Sequence, residues 1–120
     1  MGYVNNLLDG IWLRAPYLDN GSAPSLRDLL NEPAKRPKKF CRGDSVSDWK
    51  NVGFVSALNA NGGCGVHFVY DTTLADNGKG DAPGVPGKGQ GKGQGNGGHL
   101  YGAWLADGEK EALLEFLKTL

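Results

Sequence analysis

The chain has 120 residues, room for one small domain, and its 13 basic and 13 acidic side chains cancel. That balance steers the molecule as a whole toward neither nucleic acid nor an anionic membrane surface, and no apolar run reaches the ~18 residues of a membrane span. Hydrophobic residues make up 39% of the chain against 20 glycines and 6 prolines, so the core must be small and much of the chain must be loop.

The first six residues carry neither a basic n-region nor an apolar h-region and so do not form a signal peptide. Asn6, where Ser or Thr is needed, argues against myristoylation. A chain complete as written would stay in the cytoplasm. Leu7 to Leu13 is apolar, but too short and interrupted to assign. Ser25 followed by Asp28 has the form of a capping box, and Leu26, Leu29 and Leu30 share a helical face, so a short helix is expected over 25–31. Pro33 and Pro37 end it. The basic cluster Lys35-Arg36-Pro37-Lys38-Lys39 lacks interleaved aromatic residues on which bases stack, and is expected to be a solvated loop.

Cys41 and Cys64 belong to no Cys-x-x-Cys pair, which argues against a structural zinc site. A disulfide between them would add about 3 kcal/mol by loop entropy in an oxidising compartment, while two free thiols suit a reducing one. The β-prone runs 52–58 and 66–70 flank Asn59-Ala60-Asn61-Gly62-Gly63, which predicts a hairpin. Residues 76–98 are low complexity, with Gly-Lys-Gly-Gln repeated at 87–90 and 91–94. Glycine at this density cannot offset its ordering entropy by burial, so a flexible loop is expected. No strand-to-helix frame makes it a phosphate-cradling loop. The last segment is the clearest helix: Asp107 is placed to cap it, and Leu113, Phe116, Leu117 and Leu120 form an apolar face. That face is expected to dock on the 25–31 helix with Trp12 and Trp104.

Chemistry-bearing residues are few. There is no Gly-x-Ser-x-Gly elbow, no His-Glu-x-x-His and no nucleophile–base pair that would mark a hydrolase. Cys64-Gly65-Val66-His67 lacks the second cysteine of a haem-attachment motif, and His67 reads as a packed strand residue. His99, between Gly97-Gly98 and Leu100-Tyr101, is either an exposed loop histidine or an iron or zinc ligand. Asp71, Asp76, Asn77 and Asp81 do not match an EF-hand and read as a solvated loop, with a weak surface calcium site as the alternative.

Three stretches carry a family resemblance: "LDGIWLRAPYLDNGSAPSLRDLL" at 8–30, "NGGHLYG" at 96–102 and "EKEALLEFLKTL" at 109–120. With "RPKKFCRG" and "VGFVS" between them, they resemble the C-terminal portion of the di-haem cytochrome c peroxidase family, in its rubber-oxygenase branch. The resemblance implies a mainly α, irregular, cytochrome c-like remnant with a short β-hairpin and the Gly-rich loop, forming a single domain or fragment over 1–120. It implies a structural calcium bound through main-chain carbonyls at Arg14 and Pro16; the family has Thr at the first of these, but main-chain ligands do not depend on the side chain. It implies haem c, with His99 as distal axial ligand, in electron transfer or peroxidase-type chemistry, and a periplasmic location.

Two departures stand out. The family has His where this chain has Asp19, and no Cys-x-x-Cys-His occurs in the sequence. The implied haem would therefore be attached by an upstream segment or another chain. The alternative expectation is a haem-free structural or binding module on the same scaffold, with or without calcium.

Overall fold

A computed structural model describes residues 7–18, 20–73 and 96–120. Asp19 and the stretch 74–95, with Asp76, Asn77, Asp81 and both Gly-Lys-Gly-Gln units, lie outside them. Among the described residues the chain forms helix α1 (Leu26–Leu29), strands β1 (Lys39–Arg42), β2 (Ser47–Asp48), β3 (Gly53–Phe54) and β4 (Phe68–Asp71), and helix α2 (Asp107–Leu117). Single 3-10 turns occupy Ile11–Leu13 and Pro33–Lys35. None of the described helices is long and apolar enough to cross a membrane.

This is not the mainly α fold expected: helix covers 23% and strand 16% of the described residues. The apolar run at 7–13 makes one 3-10 turn, and the leucines at 26–30 support a single α-turn rather than a helix over 25–31. Ser25 does cap that turn. Its hydroxyl accepts the Asp28 N–H at 3.1 Å and donates to the Asp28 carboxylate at 2.6 Å. The first two N–H groups of α1 find their acceptors outside the helix, Leu26 on Val52 O at 2.8 Å and Arg27 on Asn51 O at 3.1 Å.

The strands pair otherwise than adjacency suggested. β1 pairs antiparallel with β4, Phe40 opposite Tyr70 and Cys41 opposite Val69. β2 and β3 make a short antiparallel hairpin, Ser47 opposite Phe54. A hairpin therefore exists, but it closes at 49–52, and the two β-prone runs at 52–58 and 66–70 do not pair with each other. The turn between them is real: Asn59 Oδ1 accepts the N–H groups of Asn61 and Gly63. A competing long-range contact decides the pairing. Cys41 N–H donates to Ser56 O at 2.8 Å, and Cys41 is disulfide-bonded to Cys64, so both flanks of the turn are drawn to β1.

The core lies where α1, α2 and the 17–26 stretch meet. Tyr17, Ala23, Leu26, Leu30, Val52, Leu114 and Leu117 are buried there, with Trp12, Leu29, Leu113 and Leu120 against them. The two helices dock as expected, but with a rotated face. Leu114 is fully buried, whereas Phe116 is 58% and Trp104 69% exposed. Nor is Asp107 the cap. It is the first helical residue, and Glu109 satisfies the N–H of Ala106 at 3.0 Å. The Arg27 guanidinium forks onto the Glu111 carboxylate across the helix pair.

Candidate functional site

The stretch 14–23 is folded back on itself. Tyr17 and Ala23 exchange N–H···O bonds at 2.7 and 3.2 Å, and Tyr17 Oη donates to Ile11 O at 2.8 Å. Burial pushes the Tyr17 hydroxyl up to about 12, so it remains a donor. The Ala15–Pro16 peptide is cis. Gly21 has φ +67°, and a Cβ there would lie 3.0 Å from Pro16 Cγ and 3.3 Å from the Arg42 guanidinium, so no other residue fits without displacement. Arg42 in turn lies over the Tyr70 ring at 4.9 Å, and Tyr70 Oη donates to Asn20 O at 2.9 Å. The β1–β4 pair thus braces this loop from behind.

Arg14, whose carbonyl was expected to ligate calcium, sends its guanidinium to Leu7 O at 3.1 Å and Asp9 O at 2.7 Å. Pro16 sits at the cis bond with its ring against Gly21. Among the described residues no group of three or more His, Cys, Asp or Glu side chains is placed to hold a metal ion.

His99 occupies the segment leading into α2. It has φ +56°, a left-handed conformation unusual for a residue with a Cβ, and its ring meets Tyr101 edge-on at 5.4 Å. Desolvation, with the Arg36 guanidinium in second place, pushes the imidazole below its ordinary value of 6.5. Around it Leu100, Tyr101 and Trp104 are 45%, 82% and 69% exposed, so the imidazole stands within a run of uncovered apolar side chains. Gly98 is the link to the first stretch, its Cβ position 3.8 Å from Leu18 Cδ2. The structure therefore brings the His99 segment against the 14–23 loop, while holding the Arg14 side chain elsewhere.

Arg36, expected in a solvated basic loop, is instead 2% exposed. All five of its N–H donors meet main-chain carbonyls. Nε reaches Asn31 O at 3.0 Å; Nη1 reaches Asn96 O and Gly98 O; Nη2 reaches Leu29 O at 3.0 Å and His99 O at 2.6 Å. Burial pulls the guanidinium below its ordinary value, with Asp28 opposing, but it stays charged. The only hint available beforehand was chemical: Arg36 is the lone guanidinium among three lysines, and arginine alone offers a planar five-donor fork.

His67 is not a strand residue. It precedes β4, half-buried, with Nε2 3.8 Å from Asp44 Oδ2. Both line a cleft of about 330 Å³ beside the disulfide. A second cleft, of about 270 Å³, lies between α1 and α2 and includes Arg27, Lys110 and Glu111. His99 lines neither.

Residues 2–41, a third of the chain, match the family model described as RoxA-like, cytochrome c-like. The match supports a cytochrome c-like family for that segment, which holds the Tyr17–Ala23 loop and Arg36. The chain is 33% identical over its whole length to uncharacterized protein y4iJ of Sinorhizobium fredii. Over 54 residues it is 56% identical to uncharacterized protein y4iM of the same organism. It spans 18% of the first and 12% of the second, so it corresponds to a small part of either relative. No solved structure matches it.

The residues can be tested against a haem. His99 offers an exposed imidazole, the commonest protein ligand for haem iron, beside uncovered apolar side chains that suit a macrocycle. Thioether attachment of a haem would need a cysteine motif that these 120 residues do not carry. The sequence has no Cys-x-x-Cys-His, and both cysteines are joined to each other, with Sγ atoms 2.03 Å apart.

Proposed function

We propose that this chain forms one wall of a haem pocket in a c-type di-haem cytochrome or peroxidase-like protein, with His99 as the distal axial ligand for electron transfer. The haem is carried by an upstream segment or another chain that supplies the attachment cysteines and the proximal histidine. A bound haem would supply one-electron chemistry at its iron. The chain's own residues set the ligand: His99 offers the imidazole, Leu100, Tyr101 and Trp104 exclude water, and the 14–23 loop backs the segment through Leu18 and Gly98. The observation that carries the reading is His99 itself, presented in a left-handed conformation within an exposed apolar run. The carbonyls of Arg14 and Pro16 are the main-chain atoms offered to calcium. An oxidising compartment such as the periplasm fits the Cys41–Cys64 bond.

Titration of ferric haem into the wild-type chain and His99→Ala, followed by absorbance, tests this. A Soret shift in the wild type that weakens in His99→Ala is expected; identical titrations would defeat it. A haem-free module on the same scaffold is the second reading. It is favoured by a core in which every buried side-chain polar atom among the described residues has a partner. A chain that takes up no haem while keeping its near-ultraviolet circular dichroism would favour it.

A further inference from the structure

We infer that Arg36 is a positioning residue for His99, its guanidinium fixing the backbone on which the imidazole is presented. The clamp is a matter of geometry; its consequence for a ligand rests on the proposed role of His99.

A buried charge is tolerated when every donor is satisfied, and here five main-chain carbonyls satisfy all five N–H donors. Two of them, Leu29 O and Asn31 O, lie at the C-terminal end of α1, where carbonyls lack intrahelical donors. The other three, Asn96 O, Gly98 O and His99 O, belong to the incoming segment. Asn96 adds a second tie through its Nδ2, 3.1 Å from Pro37 O.

The decisive pair is Gly98 O and His99 O. These carbonyls belong to the two peptide planes that bracket the His99 Cα. Fixing both planes on one rigid guanidinium sets φ and ψ of His99 together, and with them the direction of its Cβ. That accounts for a left-handed histidine: the conformation is disfavoured for a residue with a Cβ and persists because its surroundings over-determine it. Lysine cannot replace the group. It has three donors on a tetrahedral nitrogen, against five in a plane.

The test uses the full chain as wild type, Arg36→Lys and Arg36→Met. Without haem, amide hydrogen exchange is followed at Ala103, whose N–H donates to Leu100 O at 3.2 Å, and at Cys41 and Thr72 on the disulfide side. Exchange at 99–103 is expected to quicken about tenfold or more in both variants, the scale of losing one or more charge-assisted hydrogen bonds, with Cys41 and Thr72 unchanged. Unchanged exchange at 99–103 overturns the clamp. Equal acceleration at all sites makes Arg36 a general stability residue and overturns the positioning role as well.

With ferric haem, both variants are expected to lose the imidazole-ligated spectrum, as is expected of His99→Ala. A merely structural role predicts that loss only together with faster exchange at Cys41 and Thr72. If wild type and His99→Ala give the same spectrum, the ligand role of His99 fails, and the exchange result alone decides the clamp.

Discussion

Leu114→Ala probes the packing of α2 directly. Leu114 is fully buried, at the centre of a cluster formed by Tyr17, Ala23, Leu26, Leu30, Val52 and Leu117. Truncation removes about three carbons from that cluster at ~0.8 kcal/mol each, and a residual cavity adds to the loss. Collapse is restrained because α2 is tied at both ends, by the Arg27–Glu111 fork and by Gly10 N–H on Leu120 O at 3.1 Å. The expected cost is about 3 kcal/mol, within the range seen for buried leucines. Phe116, a larger side chain but 58% exposed, should cost about 0.5 kcal/mol or less as Phe116→Ala. Urea unfolding followed by tryptophan fluorescence measures both, with equal slopes required for the comparison. A loss below about 0.5 kcal/mol for Leu114→Ala, or a larger loss for Phe116→Ala, would refute this packing.

Gly53→Ala should be at least as damaging, since a Cβ there would lie 2.4 Å from Pro24 O and 2.9 Å from Ser25 Cα; a loss of about 2 kcal/mol or more is expected, and a neutral substitution would mean the 24–25 and 53 backbones are not in contact. Stability should fall in acid partly through Asp71, which hydrogen bonds from Thr73 hold below the ordinary 3.8 against the effect of burial, with Lys39 assisting. Its contribution is present above pH 3.8 and lost as pH falls through the lower folded value, so Asp71→Asn should flatten the urea midpoint below about pH 4 and leave its slope between pH 5 and 7 unchanged. Asp28, raised by burial, acts in the opposite sense and softens the wild-type fall.

What was legible beforehand follows the range of the interactions. Ser25 and Asp28 meet within one turn, and the leucines of α1 and α2 do find each other, because capping and apolar periodicity are written into adjacent residues. The face of α2 was misjudged because periodicity cannot distinguish Leu114 from Phe116 until the α1 surface is placed. Strand pairing was misjudged for a stronger reason. Asn59 to Gly63 forms the turn its sequence announces, but the Cys41–Cys64 bond and the β1–β4 pairing override the local hairpin. At the site, Gly97-Gly98 punctuation singled out His99. Arg36 was hidden because its partners are carbonyls, which every residue carries; no side-chain pattern reports that five of them converge.

The most direct measurement of the central claim is the electron paramagnetic resonance spectrum of ferric haem bound to the chain, in wild type, His99→Ala and His67→Ala. Ligation by the single imidazole of His99 predicts the axial high-spin signal of mono-imidazole haem in the wild type and in His67→Ala, replaced in His99→Ala by the signal of free haem. A mono-imidazole signal that survives in His99→Ala and disappears in His67→Ala would contradict the account and move the ligand to the cleft beside the disulfide.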